Sequence, residues 1–292
     1  MTESMGYVVL GFVLVFGLFV GSFLNVVIYR LPRECLSVVK QTRSRCPRCG
    51  VQLGWYDNIP LVSFLILLRG RCRRCKAPIS WRYPLIEGFT ALVFAGLAWR
   101  LRGWEGLEYP FINPESWGVW GVQVTVVASL IALSVIDMDF RILPDAITLP
   151  GIVLAPLMVF LVPAAMPAPY ALIEGGSAWA PRWNALLNGL VGEALAAGVL
   201  WMIGWLGSKA FRKPAMGLGD VKLYAAMGGV LGLWVLLVLP LASILGSVIG
   251  LAVLLVKKDH YVPFGPFLAL GMVVTMTDGP RILEVVLQYL GR

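Results

Sequence analysis

Charge is what this chain has least of. Only 14% of its 292 residues are Asp, Glu, Lys or Arg, while 59% are hydrophobic and the mean hydropathy is +0.81. A soluble globule carries roughly 45 to 50% apolar residues, so that class is excluded and the composition reads as a multi-span membrane protein. Histidine is scarcer still: the one copy, His260 in a Lys-Lys-Asp-His loop, reads as a solvated polar residue. No Gly-rich nucleotide-binding loop is legible. The first apolar run opens Met-Thr-Glu-Ser, without a basic leading region or a small-residue cleavage site, and so reads as a retained span rather than a removed signal.

What is present is long apolar runs. A helix crossing the hydrocarbon core needs about 20 such residues, and up to eight stretches qualify: Met5 to Ile28, Pro84 to Trp99, Trp117 to Ile136, Ala146 to Pro163, Trp183 to Leu206, Val221 to Leu239, Leu241 to Val256 and Val262 to Met276. Pro240 near the middle of the block from Val221 to Val256 predicts two short spans joined by a tight turn. The expected fold is all-α and polytopic, with about eight transmembrane helices and one small cytoplasmic knuckle domain. Its parts are a first transmembrane helix at 1–29, a loop domain at 30–83 and a membrane-embedded core at 84–292.

Basic loops tend to stay cytoplasmic. From Arg30 to Arg82 there are 12 Lys and Arg against Glu34 and Asp57, and seven more bases fall on the same side of an eight-span bundle. Only Arg100, Arg102, Arg182, Arg281 and Arg292 fall opposite. The N-terminus is therefore expected outside and the basic loops inside. The net charge of +8 follows from this asymmetry and calls for no nucleic-acid partner.

All five cysteines lie in the large polar loop. Cys46-Pro-Arg-Cys49 and Cys72-Arg-Arg-Cys75, with 22 residues between them, form two knuckles that can face each other around a tetrahedral Zn²⁺. The alternatives are two disulfides, disfavoured where thiols stay reduced, or structural thiols without a ligand. Four protein ligands leave no open position, which makes the zinc structural. The neighbouring arginines are expected to lower the thiol pKa values. Cys35 is left over as an ordinary small residue.

Two acidic signatures border apolar runs: Asp137-Met-Asp139-Phe-Arg-Ile-Leu-Pro-Asp145 and Gly217-Leu-Gly219-Asp220, with Asp137 and Asp220 83 residues apart. A carboxylate at such a place is costly to bury and marks a functional site. Two brought together in a poorly solvated site share one proton. The ionised one can then take a proton from water while the other donates to a substrate carbonyl. Taken singly, Asp137 also reads as a solvated helix end and Asp220 as an N-cap. Asp139 is the fallback for Asp137, and Asp145 is expected to cap the fourth span. Glu87 sits near the cytoplasmic boundary, facing either a ligand or local hydrogen bonds. Glu193, deeper, reads as a hydrogen-bonded packing feature.

These residues, with Gly21-Ser-Phe-Leu-Asn-Val-Val-Ile-Tyr-Arg-Leu-Pro32, Trp81-Arg-Tyr-Pro-Leu-Ile-Glu87, Gly217-Leu-Gly-Asp-Val-Lys222 and Pro263-Phe-Gly-Pro-Phe267, resemble the type IV prepilin peptidase family. That family comprises bifunctional leader peptidases and N-methyltransferases of bacterial pilus and type II secretion systems. The resemblance spans nearly the whole chain. It implies an intramembrane aspartyl protease in the bacterial inner membrane, with Asp137 and Asp220 as the catalytic pair and Gly217 and Gly219 shaping the approach to Asp220. It also implies prepilin and pseudopilin substrates cut at the cytoplasmic boundary, and S-adenosylmethionine as methyl donor, with no donor-binding residue named. Two readings of other classes compete. One is an ion-coupled transporter using Asp137, Glu193 and Asp220; the other is a non-enzymatic zinc-bearing assembly factor. The transporter reading leaves the knuckles and the boundary position of the aspartates unexplained.

Overall fold

A computed structural model of the chain describes residues 2–33, 45–46, 48–101, 114–168, 172, 179–213, 216–257 and 263–290; Cys35 and His260 lie outside them. The described residues are helical, with two isolated β-bridges and no strand. Eight α-helices follow in order: α1 (Thr2–Arg30), α2 (Arg82–Leu101), α3 (Pro114–Phe140), α4 (Asp145–Leu161), α5 (Ala180–Phe211), α6 (Leu218–Leu231), α7 (Val235–Lys257) and α8 (Gly265–Leu290).

Five helical stretches are long and apolar enough to cross a membrane: 6–30, 82–101, 114–140, 180–211 and 218–251, the last running through α6 and most of α7. The apolar α4 is shorter, at 17 residues. Large apolar side chains such as Phe12, Phe19 and Phe23 on α1 or Leu85, Phe89 and Leu92 on α2 stand exposed, as the surface of helices facing lipid does. In hydrocarbon an outward Phe is not a defect, because the surrounding solvent is equally apolar.

The chain divides into two compact units, Met1–Ala132 and Leu133–Arg292. In the first, α1 packs on α2 through Gly17 and Gly21. A Cβ on Gly17 would lie 2.6 Å from Ala91 Cα, and one on Gly21 would lie 2.7 Å from Glu87 Cα. Small residues four apart are what allow two membrane helices to approach this closely. Beside them Trp120 donates its indole N–H to Phe94 O over 3.2 Å and meets the Phe16 ring at 5.9 Å.

In the second unit, α5 and α6 cross on glycines: a Cβ on Gly192 would lie 2.5 Å from both Gly228 O and Gly232 O. Helix α4 closes on the same region, with Ala155 and Pro156 against Gly229. The turn expected at Pro240 is instead at Gly232. There φ is +58° and a short 3-10 turn, Gly232–Trp234, separates α6 from α7, with Pro240 inside α7. The reason is steric. Proline only removes one amide and bends a helix, whereas a left-handed backbone stops it, and that conformation is cheap only for glycine. The Tyr224 hydroxyl donates to Val235 O over 2.8 Å and fastens the two sides of the break.

Candidate active site and four-cysteine module

Helix α3 ends in Asp137, a buried residue in its last turn, because the apolar run that forms the span stops there. Gly265, the first residue of α8, donates its N–H to Asp137 Oδ2 over 3.1 Å. The same glycine leaves no room for a side chain, since a Cβ there would meet Oδ2 at 2.7 Å. A helix start thus points its free amide at the carboxylate, the arrangement that favours negative charge at an N-terminus.

Asp220 stands in the first turn of α6, half-buried, with Gly217 as N-cap. It is therefore not the N-cap itself. Its carboxylate folds back toward Gly217, with Oδ2 3.7 Å from the place a Cβ would take. One side chain joins the two halves of the site. Leu143 lies 3.0 Å from the Cβ position of Gly219, beside Asp220, and 3.5 Å from that of Gly265, whose amide meets Asp137, so Gly219 and Gly265 rest on the same residue. The two aspartates, with Gly217, Gly219 and Gly265, thus converge on one place within the second unit.

Asp139 is exposed, two residues on and away from this convergence. Asp145 does not cap α4: the N-cap is Pro144, with no side-chain bond, and Asp145 as first helical residue pairs with Lys222 Nζ at 2.7 Å. That ion pair ties the end of the first signature to the end of the second. Glu193 was expected to be hydrogen-bonded. Among the described residues its Oε1 is instead buried with no hydrogen-bond partner and rests on Gly229, 2.5 Å from where a Cβ would stand. Glu87 bonds locally, accepting from Leu61 N at 2.9 Å and from Ser22.

In the first unit the two knuckles are copies of each other. Cys46 N donates to Val51 O at 2.9 Å and accepts at its carbonyl from Gly50 N at 2.9 Å; Cys72 N donates to Ala77 O at 2.8 Å and accepts from Lys76 N at 3.0 Å. Each turns through a left-handed residue just after its second cysteine, Gly50 at φ +68° and Lys76 at φ +57°. The four Sγ atoms lie within 4.8 Å of one another, with Cys46 and Cys75 3.8 Å apart. A disulfide needs about 2.05 Å, whereas four sulfurs about 2.3 Å from a tetrahedral ion stand about 3.8 Å apart. The quartet fits a metal. The N–H groups of Cys49 and Arg48 turned toward Cys46 Sγ bring its pKa down to about 6, and those of Cys75 and Arg74 lower Cys72. The lowering therefore comes from backbone amides of the turns and not from the guanidinium groups expected to cause it.

Two family models match the chain: the bacterial peptidase A24 N-terminal domain over residues 15–101 and the type IV leader peptidase family over residues 124–255. A prepilin leader peptidase/N-methyltransferase of Pseudomonas putida is 36% identical over 301 residues, 95% of this chain and 93% of that protein. The chain belongs to the type IV leader peptidase family. It is an enzyme of the peptidase class. A protein of the same name from Myxococcus xanthus is 40% identical over 245 residues, 84% of this chain and 63% of the relative. A type 4 prepilin-like proteins leader peptide-processing enzyme of Escherichia coli is 36% identical over 282 residues, 89% and 90% of the two. No solved structure matches. The N-terminal family model contains the cysteine module, and the second contains both aspartates.

Two members of the site carry weaker sequence signals. Gly265 lies in a Pro-Phe-Gly-Pro-Phe stretch, where glycine before proline marks a helix start. Leu143 is one apolar residue among many, and nothing local distinguishes it.

Proposed function

We propose that this enzyme removes the short basic leader of type IV prepilins and type II secretion pseudopilins at the cytoplasmic edge of the bacterial inner membrane, and then methylates the new N-terminal amine. The observation that carries the peptidase step is that Gly219, beside Asp220, and Gly265, whose amide bonds Asp137, both close on Leu143.

A pair in which one carboxylate is ionised and the other protonated can hydrolyse a peptide bond without a metal. The ionised member takes a proton from water as its oxygen attacks the scissile carbonyl, and the protonated member donates to the carbonyl oxygen. Collapse of the tetrahedral intermediate returns the carbonyl and breaks the C–N bond, and the leaving nitrogen takes the proton that water gave up. The Gly265 N–H supports Asp137 as the ionised member of the pair, which leaves Asp220 to carry the shared proton. Gly217 and Gly219 keep side chains out of the approach to Asp220.

Cys46, Cys49, Cys72 and Cys75 are the residues that would hold a structural Zn²⁺, whose role is to join the two knuckles. S-adenosylmethionine would supply an electrophilic methyl group to the amine freed by cleavage. No residue of this chain is assigned to it.

The test is a synthetic prepilin incubated with purified protein in detergent and read by mass spectrometry with and without S-adenosylmethionine. Loss of the leader mass, followed by one methyl increment only with the donor, is expected. An intact peptide under both conditions removes the reading.

A further inference from the structure

Between the two knuckles the chain makes an excursion that neither metal binding nor catalysis accounts for. Residues Leu61 to Leu68 form a π-helical turn, Ser63–Leu67, closed by Leu68 N donating to Ser63 O over 2.8 Å. Non-glycine residues with positive φ stand at both ends, Leu61 at +57° and Arg69 at +49°. Ser63, Phe64 and Leu68 turn inward, while Val62, Leu65, Ile66 and Leu67 are 42, 51, 66 and 45% exposed. In water, four clustered aliphatic side chains at the tip of a loop would be a liability.

The height of this turn decides what it meets. Leu61 N donates to Glu87, the sixth residue of α2, and Glu87 also accepts from Ser22, eight residues before the end of α1. At 1.5 Å per residue these anchors lie about 8 Å inside the start of one apolar helix and about 12 Å inside the end of the other. Phe64 packs on Trp81, just before α2, at a ring separation of 4.8 Å. The turn is therefore held beside the ends of two spans, at or below the level where their apolar surface begins.

Charge agrees. Arg69 and Arg71 directly follow the turn and are exposed, as are Arg48, Arg74 and Lys76 on the two knuckles that precede and follow it in the chain, while the segment from Arg45 to Trp81 has one acid, Asp57, buried and paired with Arg73 at 2.8 Å. An apolar tip in a segment whose exposed charges are basic is the pattern of a segment that lies in the headgroup layer of an anionic leaflet. A basic peptide would be repelled by the same charges.

We infer that Leu61 to Leu68 is an interfacial membrane insert that seats the four-cysteine module on the anionic headgroup layer between α1 and α2. Its occupant is lipid, with Val62, Leu65, Ile66 and Leu67 among the upper acyl carbons and the bases among phosphates. The inference is independent of the peptidase chemistry.

Hydrogen exchange on the unaltered full-length protein tests it, in nanodiscs of phosphatidylcholine with phosphatidylglycerol and in an amphipathic polymer without lipid. Amides of residues 64–68 should exchange about tenfold slower in the bilayer, while those of the Cys46 knuckle exchange alike in both. In the same nanodiscs a photo-crosslinker at Ile66 (Ile66→p-benzoylphenylalanine) should yield phospholipid adducts. Equal exchange in the two media overturns the inference, as does an adduct joining Ile66 to a second copy of the chain instead of to lipid.

Discussion

Gly265 and Asp137, 128 residues apart, meet through a single hydrogen bond in which the first amide of α8 donates to the last-turn carboxylate of α3 over 3.1 Å. The contact is stereochemically demanding on both sides. Only a residue without a side chain can bring its N–H this close to the carboxylate, and only a helix start has that N–H to spare.

Gly265→Ala should therefore impair activity without removing any reacting group. Its methyl would stand 2.7 Å from Oδ2 and must push the carboxylate aside. A displacement of about 1 Å costs about 100-fold in kcat. Steady-state cleavage of a prepilin peptide measures it, and a rate within twofold of the unaltered enzyme would count against the role given to this amide.

Asp137→Asn and Asp220→Asn should each lower cleavage by about 10⁴-fold or more, since either change removes a group that handles a proton. Helix content by circular dichroism should be unchanged. The double variant should be no worse than either single one, because the two act as a unit.

Lys222 and Asp145 test whether the two signatures must be tied together. The pair is half-exposed and contributes at most about 1 kcal/mol to stability, so Lys222→Ala should barely move the melting temperature. It should lower kcat severalfold. Exchanging the charges, Lys222→Asp with Asp145→Lys, should restore part of the loss, and no recovery would assign the effect to something other than the pair.

Replacing Cys46, Cys49, Cys72 and Cys75 by Ser should take zinc from about one ion per chain to none, read by metal analysis of reduced protein. Peptidase activity should fall with the loosened module and not be restored by added zinc.

In metal-free protein the reactivity of Cys46 toward a small alkylating reagent should be half-maximal near pH 6, because only the thiolate reacts and the Cys49 and Arg48 amides stabilise it. Cys75, although it receives the Ala77 N–H, is pushed up to about 11 by burial and by the neighbouring sulfurs, and should stay unreactive at neutral pH. Peptide mapping by mass spectrometry across pH separates the two. Equal reactivity at neutral pH would contradict the turn geometry.

The membrane class and the thiol quartet were legible in the amino-acid order, and so was the pair of acidic signatures. Each rests on a local pattern: run length against bilayer thickness, the C-x-x-C interval against an ion's radius, a carboxylate at the edge of an apolar stretch. Where the pattern was weighed by residue type alone it misled. Pro240 was the conspicuous breaker, yet the helix stops at Gly232, whose Cβ position lies 3.3 Å from Asn188 and Met166 on neighbouring segments.

Asp145 had every mark of a cap and found Lys222 instead; Glu193 was expected to have a hydrogen-bond partner and its Oε1 has none among the described residues. What the sequence determined by itself was which chemistries the chain carries. Which amide serves Asp137, which cation holds Asp145 and which side chain of the first signature meets Gly219 of the second were decided only by tertiary structure, because those contacts join residues 128, 77 and 76 positions apart, and no local periodicity reports on them.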